Sequence, residues 1–303
     1  MRISDGRVIW SATDLKKAAE CEFAWVRSID AKLGRIAGVD EPEDEMMQRA
    51  IALGLSHEHA VLERYRAQYG NDVVELATVG PTDPEALTRA LEQTVAALHS
   101  PARVLYQAAF AHDDFIGFAD FMVRTDAGWL VQDTKLARTA RVTALMQLAA
   151  YVDQLHRLGV QTDPMVELIL GDGETSSHRV DDLLPVFELR RERIRQLIAD
   201  RAVTETQAPI AWNDERGDLG VIACGRCATC ESEVIAHRDL LLVAGMRPVH
   251  RRLLRGAGME SIDALAAATT APEGMNPDVF ASLRLQAQLQ LQSPAGVPSP
   301  GAD

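Results

Sequence analysis

The stretch GFADFMVRTDAGWLVQDTKLA, residues 117–137, has the pattern of a β-hairpin that carries charged residues inside its strands. Two runs rich in aromatic and aliphatic residues flank the turn signal TDAG. A symmetric register about that turn places Asp120 directly opposite Asp133, and the strand period of two places Lys135 on the same face. Asp is depleted in strands, and like charges across a ladder destabilise it. The pattern therefore indicates that these charges bind something.

This group of two carboxylates and one ammonium suggests metal-assisted hydrolysis of a phosphodiester. A divalent cation would relieve the repulsion between Asp120 and Asp133, and hard oxygen ligands suit Mg²⁺ or Mn²⁺. The cation would polarise the phosphate and lower the pKa of a water molecule. Lys135 would orient or deprotonate that water, or offset the charge that develops on the phosphate. The alternative is an exposed hairpin with an ordinary Asp–Lys pair, and the hairpin alone does not separate the two.

The segments around the hairpin predict an α/β fold with a mixed sheet flanked by helices. Helical patterns run over residues 11–33 and 44–69, and again from a Pro-containing turn at 81–84 to about residue 99. The runs ARVLYQAAF, FIGFADFMVR and GWLVQDTKL predict a three-stranded antiparallel meander. A helix over 143–158, the apolar strand MVELILGD, the short strand SSHRV and a long charged helix follow.

Three residues outside the hairpin are further candidates for the same site. His57, in the motif GLSH at residues 54–57, would complete a His–Asp–Asp metal site, although a single helical His is more often a packing or surface residue. The sequence HEHAV that begins at His57 lacks the spacing HExxH, which excludes a zinc-protease site. Gln147 and Tyr151 lie one helical turn apart on one face. A solvated glutamine and a core tyrosine are the alternative for that pair.

In their order along the chain, the motifs G-x-x-H, G-x-x-D, D-x-K and Q-x-x-x-Y resemble the RecB-type branch of the PD-(D/E)XK nucleases. The residues at these positions are Gly54 and His57, Gly117 and Asp120, Asp133 and Lys135, and Gln147 and Tyr151. The resemblance covers about residues 11–230 and implies a restriction-endonuclease-like core. It implies that His57, Asp120 and Asp133 ligate the Mg²⁺ or Mn²⁺ ion, with a further contact from the Thr134 carbonyl. It also implies that Lys135 is catalytic together with the two carboxylates, and that Gln147 and Tyr151 lie beside the DNA strand.

The four cysteines are unevenly spaced, since Cys224, Cys227 and Cys230 form one tight triplet and Cys21 stands alone. Three thiolates in one loop need a fourth ligand to close a tetrahedral site. The division into one early cysteine and a late triplet is similar to AddB-type helicase–nuclease subunits and to CRISPR adaptation nuclease relatives. That similarity implies a [4Fe–4S] cluster on all four cysteines, clasping the two ends of the nuclease domain. Only two residues separate Cys227 from Cys230, fewer than is usual there, so a Cys₄ zinc site stays open.

Residues 236–272 have the pattern of a small helix-hairpin-helix module, with glycine-containing turns at 244–245 and 257–258. The backbone N–H groups of such turns can contact phosphates. Arg247 and Arg251 belong to a local excess of basic residues and are candidate DNA contacts. A small helical packing unit with an exposed basic face is the alternative.

The expected domain order is a nuclease domain over residues 1–235, then the helix-hairpin-helix module, then a flexible tail or linker over 273–303. The tail is expected because its end is rich in Pro, Gly, Ser and Ala. Within the nuclease domain, Arg138 and Arg141 follow the hairpin closely. They are candidate phosphate contacts or solvated residues that lead into the next helix.

Length and composition narrow the class of protein. The chain has 303 residues, 47% of them hydrophobic, and a formal net charge of −13. A sizeable core is therefore expected, and the negative net charge argues against a simple basic nucleic-acid coat. The sequence contains no apolar run of membrane-spanning length and begins without the apolar stretch of a secretory signal, so a cytoplasmic protein with no membrane partner is expected. No G-x-x-x-x-G-K-[ST] motif occurs, so a helicase would have to be a separate partner or segment.

The combined expectation is a Mg²⁺- or Mn²⁺-dependent DNA nuclease, specifically an exonuclease that acts on single-stranded ends in DNA repair or recombination. The strand preference and the helicase partner follow from the resemblance alone. One alternative is a nucleic-acid-binding accessory protein of a helicase–nuclease system that has lost turnover. It is weakened because paired carboxylates repel phosphate when no metal is bound. A second alternative is a zinc-stabilised interaction protein, which metal analysis would distinguish.

Overall fold

The chain divides into two compact units. The computed structural model describes residues 1–4, 6–37, 45–77, 83–201, 208–214 and 219–293. Unit 1 comprises Met1–Ile210 with Glu215–Gly220, and unit 2 comprises Ala211–Asp214 with Val221–Asp303. Among the described residues, no helix is both long enough and apolar enough to cross a membrane.

Unit 1 is built on a six-stranded mixed sheet. A small antiparallel hairpin precedes it, formed by β1 (Arg2–Ser4) and β2 (Arg7–Ile9). The sheet strands are β3 (Val73–Glu75), β4 (Val104–His112), β5 (Phe115–Arg124), β6 (Trp129–Lys135), β7 (Thr162–Leu170) and β8 (Thr175–Arg179), and they lie side by side in chain order. The β3–β4 and β6–β7 pairs are parallel and the other pairs antiparallel.

Helices surround this sheet. They are α1 (Ala12–Glu20), α2 (Glu22–Lys32), α3 (Glu45–Tyr69), α4 (Pro84–Leu98), α5 (Val142–Arg157) and α6 (Val180–Arg201). The start of α4 shows how the sequence fixes a boundary, because the Asp83 side chain accepts the Ala86 N–H at 3.0 Å and Pro84 occupies the first turn. The expected α/β class, with a mixed sheet flanked by helices, is confirmed.

The hairpin between β5 and β6 has the expected register. Phe121 pairs with Gln132 and Arg124 with Trp129, and the same register continued by one residue sets Asp120 opposite Asp133. The turn is closed by the Thr125 N–H, which donates to the Gly128 carbonyl at 2.8 Å.

The two helices that matter most for function cover opposite faces of the sheet. Val61 and Leu62 of α3 pack in one core cluster with Phe121. Successive strand residues point to opposite faces. Tyr65 of α3 donates to Gln132, whereas the next residue, Asp133, contacts α5 through Gln147. Asp133 therefore lies on the α5 side of the sheet, and Phe121 and Gln132 lie on the α3 side.

The single helix expected over residues 11–33 is two helices. Cys21 lies between them in extended backbone, at φ −162°, and both ends α1 and begins α2. Its sulfur accepts the Ala24 N–H at 3.4 Å, which satisfies one amide of the first turn of α2. The break places the buried Cys21 side chain at a helix junction inside unit 1.

Unit 2 is helical and has its own core. Its helices are α7 (Ala228–Ala236), α8 (Pro248–Gly256), α9 (Ile262–Ala267) and α10 (Pro277–Gln292), with a 3₁₀ turn at Leu240–Leu242. The core contains Leu254, Leu265, Phe280 and Leu283 among other buried residues. This core explains why the helices around the two expected glycine turns form one compact unit.

Two expected domain boundaries differ from the division into compact units. The cysteine triplet belongs to unit 2, because that unit resumes at Val221 and not near residue 236. The expected flexible segment 273–303 contains α10, which begins at an Asn276 cap and buries Phe280 and Leu283 in the core of unit 2. Composition was misleading because the Pro- and Gly-rich part is confined to the end of the segment, and residues 294–303 lie outside the described residues.

Candidate active site

Asp120 and Asp133 form a close pair of carboxylates at the centre of the sheet. Asp133 is 1% exposed and Asp120 is partly buried. The Asp120 carboxylate accepts the backbone N–H of Thr134 at 3.3 Å. The pKa of Asp120 is raised well above its usual value, first because burial disfavours the charged form and second because Asp133 lies beside it. A cation beside the pair would favour the charged form of Asp120.

Lys135 supplies one positive charge to this pair. Its ammonium forms an ion pair with Asp133, and its side chain remains 36% exposed. The ammonium therefore contacts the buried carboxylate and also remains accessible to a molecule arriving from solvent. We call Asp120, Asp133 and Lys135 the Asp–Asp–Lys group. One lysine neutralises one of the two carboxylates, so a divalent cation fits the remaining charge and the oxygen donors of the pair.

A chain of contacts from α5 supports the group. The Gln147 amide nitrogen lies 3.5 Å from Asp133 Oδ1. The Tyr151 hydroxyl interacts in turn with Gln147 and with the Phe118 backbone. The pKa of Tyr151 is raised, first by burial and then by the charges of Asp120 and Asp133. Tyr151 is 3% exposed, so in this structure it holds Gln147 in place and presents little surface to a DNA strand.

Gly117 is required by the packing of Tyr151. A Cβ atom at Gly117 would lie 2.8 Å from Tyr151 Cε1 and 2.9 Å from Phe115 Cζ. Both are atoms of packed aromatic rings, and Tyr151 is further fixed by stacking on Phe110 with 6.0 Å between ring centroids. The G-x-x-D motif is therefore explained by contact with α5.

We expect the Gly117→Ala variant to lower both stability and activity. The added methyl group displaces the Tyr151 ring, at a cost of about 1–3 kcal/mol for overpacking, and Gln147 moves with it. Thermal unfolding and single-turnover cleavage rates measure the two effects. Gly256→Ala is a suitable control, because a Cβ at Gly256 meets nothing within 4 Å. A Gly117→Ala protein with the wild-type rate and melting temperature would contradict the proposed contact chain.

His57 does not join the two carboxylates in this structure. Its Nε2 atom lies 3.3 Å from the Ile169 carbonyl on β7. Ile169 pairs with Thr134, so His57 lies near the site, but on the α3 side of the sheet. Within the described residues, His57, Asp120 and Asp133 do not bring three ligand atoms together closely enough for one ion. The ligand role of His57 therefore stays a prediction.

Glu58, which the sequence interpretation left without a role, is an acidic neighbour of the site. Its pKa is raised, first by burial and next by the charge of Asp120. The Gln107 amide donates to Glu58 at 2.6 Å, and Gln107 has the unusual φ of 60° where β4 faces Asp120. The spacing of Glu58 from Leu62, one helical turn apart on α3, was the available signal, because Leu62 is buried against the sheet.

Three of the four candidate arginines are exposed. These are Arg138, Arg141 and Arg247, the last at the N-terminus of α8. Arg251 is different, because its guanidinium donates to the buried Asp239 at 2.7 Å and lies 5.5 Å from the Trp212 ring centroid. In this structure Arg251 stabilises unit 2, and its role as a DNA contact stays a prediction.

The cysteine triplet forms a sulfur cluster in unit 2. The Sγ atoms of Cys224, Cys227 and Cys230 lie within 4.8 Å of one another, with 3.9 Å between Cys224 and Cys230. The Cys227 N–H points at the Cys224 sulfur at 3.3 Å. Such a set of sulfur donors fits a zinc ion or an iron–sulfur cluster. Cys21, the other cysteine of the chain, belongs to unit 1.

Comparison with known proteins identifies a family. A model of the PD-(D/E)XK nuclease superfamily matches residues 9–233 of this chain. Among solved structures, a crystal structure of a "Putative exonuclease" from Eubacterium rectale is similar at 12% sequence identity and a TM-score of 0.40, covering 81% of this chain and 100% of that one. No curated protein matches this chain.

Proposed function

Since the chain belongs to the PD-(D/E)XK nuclease superfamily, we propose that its Asp–Asp–Lys group hydrolyses phosphodiester bonds of DNA. The observation that carries the proposal is a pair of opposed carboxylates on β5 and β6, one of which, Asp133, contacts the accessible Lys135 ammonium. A structural role does not account for it, because two adjacent carboxylates of which one is ionised only with difficulty destabilise a sheet.

Asp120 and Asp133 are the residues that would hold Mg²⁺ or Mn²⁺. Their fit rests on the donor set, because two carboxylates lie side by side and Lys135 pairs with only one of them, Asp133. We propose His57 and the Thr134 carbonyl as further ligands. Glu58 adds a carboxylate close to Asp120. When bound, the divalent ion supplies Lewis-acid polarisation of the phosphate and a lowered pKa for water.

The chain's own residues supply positioning and charge. Lys135 reaches solvent while paired with Asp133, so its ammonium is placed to orient the attacking water and to offset the negative charge of the transition state. Gln147 restrains the Asp133 carboxylate from the α5 side, and Tyr151 restrains Gln147. We propose Arg138, Arg141 and Arg247 as contacts to the phosphate backbone.

We further propose that the substrate is a single-stranded DNA end, that digestion is exonucleolytic, and that the protein acts in DNA repair or recombination together with a helicase. Support for these finer points comes from the order of the four sequence motifs. The alternative is a catalytically silent nucleic-acid-binding accessory protein of a helicase–nuclease system. A protein that binds DNA but cleaves no end-labelled strand with either Mg²⁺ or Mn²⁺ would favour that alternative.

We propose that Cys21 joins Cys224, Cys227 and Cys230 as ligands of a [4Fe–4S] cluster, with Zn²⁺ as the alternative. Three sulfurs already lie together in unit 2, and Cys21 is the remaining cysteine. The colour and metal content of anaerobically purified protein distinguish a [4Fe–4S] cluster from a zinc ion. A brown protein containing iron and sulfide supports the cluster, whereas a colourless protein with one zinc per chain supports the zinc site.

The Asp120→Asn variant tests whether the buried Asp120 carboxylate beside Asp133 destabilises the metal-free protein. We expect it to lose cleavage and, without divalent metal at pH 7.5, to be more stable than the wild type. The folded-state pKa of Asp120 is raised. Its protonated carboxyl therefore stabilises the folded state below the unfolded-state pKa, and this stabilisation is lost as the pH rises through the folded-state pKa. The Asp120→Asn variant has no ionisable group at this position, so its stability does not fall in this way as the pH rises. Mn²⁺ should raise the melting temperature of the wild type only.

Thermal unfolding at pH 5 and 7.5, with Mn²⁺ or with EDTA, measures these effects. Asp126→Asn is the matched control, because Asp126 is an exposed carboxylate in the turn of the same hairpin. A metal-free Asp120→Asn protein that melts below the wild type at pH 7.5 would contradict the assigned repulsion.

A further inference from the structure

A cavity of about 410 Å³ is lined by Gln147 and Tyr151, the two α5 residues that support the Asp–Asp–Lys group. Its walls come from four elements of unit 1: Arg2 on β1, Ser11 and Thr13 at the start of α1, Ile116 and Phe118 on β5, and Gln147 on α5. Gln147 connects the cavity to the candidate active site, because its amide nitrogen lies 3.5 Å from Asp133 Oδ1. The volume falls within the range of small-ligand pockets, roughly 300–1,000 Å³.

We propose that this cavity receives one unpaired nucleobase of the substrate strand, next to the phosphate that is cleaved. The inference rests on the proposed nuclease function and adds to it a reason for acting on unpaired DNA. A base that is paired and stacked inside a duplex must leave the stack before it can enter such a pocket, and this costs a few kcal/mol.

The position of Phe118 supports a base as the occupant. Phe118 and Asp120 are two residues apart on β5, at a separation of about 7 Å along the strand. Phe118 is partly exposed and lines the cavity. A ring in that place can stack on a base whose attached phosphate reaches the two carboxylates, and aromatic stacking of this kind is a recurring mode of single-strand recognition.

Other residues that line the cavity offer apolar contacts, hydrogen bonds and positive charge to a nucleotide. Ile116 adds an apolar contact, while the Gln147 amide and the exposed Thr13 hydroxyl offer hydrogen bonds to a base edge. The Arg2 side chain also lines the cavity and brings a positive charge to the sugar–phosphate of the same nucleotide. The apolar surface around Phe118 and the nearby Asp133 favour the base, and not a free phosphate, as the group that fills the cavity.

Cleavage of single-stranded oligonucleotides with one abasic position, moved stepwise along the strand, tests the proposal. We expect an abasic nucleotide beside the cleaved bond to lower the wild-type kcat/KM by about 5–100-fold, the value of one base–aromatic stack. Phe118→Ala should lower kcat/KM on intact DNA by a similar factor and be insensitive to the abasic position. Phe118→Tyr should restore both the rate and the sensitivity. Tyr69→Ala, a partly buried aromatic on the α3 side, is the control and should keep the sensitivity.

A binding experiment separates failure of this inference from failure of the nuclease proposal. A single-stranded oligonucleotide containing 2-aminopurine is titrated in EDTA, and its fluorescence reports stacking without any cleavage. We expect a signal from the wild type that Phe118→Ala loses and Phe118→Tyr keeps. If cleavage occurs but neither the abasic scan nor the fluorescence depends on Phe118, the pocket inference is overturned and the nuclease assignment stands. If fluorescence depends on Phe118 but no DNA is cleaved, the pocket stands and the nuclease proposal fails.

Discussion

The Lys135→Met variant is expected to lose cleavage by about 10²–10³-fold, the usual loss when one preorganised group that stabilises transition-state charge is removed. The methionine side chain keeps the length and apolar stem of lysine but has no ammonium. Asp120 and Asp133 remain, so Mn²⁺ binding should stay detectable. Single-turnover rates at saturating Mn²⁺ measure the first effect, and the metal-induced shift in melting temperature measures the second.

Lys32→Met is the matched control for that substitution. Lys32 is an exposed lysine at the end of α2, so its removal changes the net charge equally without touching the Asp–Asp–Lys group. The wild-type rate in this control, together with a large loss in Lys135→Met, would locate the effect at the site. Full activity in Lys135→Met would refute the role assigned to its ammonium.

The Cys227→Ser variant is expected to show the largest loss of stability. Structural metal sites contribute on the order of 10 kcal/mol to the free energy of folding. Cys227 supplies one of three sulfur atoms that lie within 4.8 Å of one another in unit 2. We expect a lower yield of folded protein, a lower melting temperature and loss of the bound metal. The cleavage rate per folded molecule should fall much less, because the Asp–Asp–Lys group lies in unit 1.

Ser232→Ala, an exposed position in the same helix α7, is the control for handling and expression. Iron, sulfide and zinc analysis of the two variants and the wild type shows which group is lost. A Cys227→Ser protein with normal stability and no cleavage would contradict a structural role for the cysteines and indicate a role in the reaction itself.

The hairpin was the most predictable part of the fold because local rules determine it. Its turn sequence sets the register, and the observed pairing of Phe121 with Gln132 is the pairing that the turn implies. The contact between Lys135 and Asp133 follows from the strand period alone. The mixed sheet was also predictable, because helical and strand patterns alternate along the chain.

Features that depend on tertiary packing were less predictable. The sequence pattern does not show which face of the sheet α3 covers, and that face determines where His57 lies. The proximity of Glu58 to Asp120 depends on how α3 packs on the sheet, and Gln107, which donates to Glu58, departs from regular strand geometry. The basic sequence around Arg251 predicts a DNA contact, but the Arg251 guanidinium donates a hydrogen bond to the buried Asp239. Phe280 and Leu283 of α10 are buried in the core of unit 2. The Pro- and Gly-rich end of the segment did not indicate this burial.

The most direct test of the account is cleavage of end-labelled single- and double-stranded DNA by anaerobically purified protein, compared with its Asp133→Ala variant. We expect cleavage that requires Mg²⁺ or Mn²⁺, is faster on the single strand, and disappears in Asp133→Ala. The product ladder would show whether digestion proceeds from an end. The absence of cleavage by wild-type protein with its cysteine-bound metal intact, or equal cleavage by Asp133→Ala, would contradict the assignment of Asp120, Asp133 and Lys135 as a catalytic group.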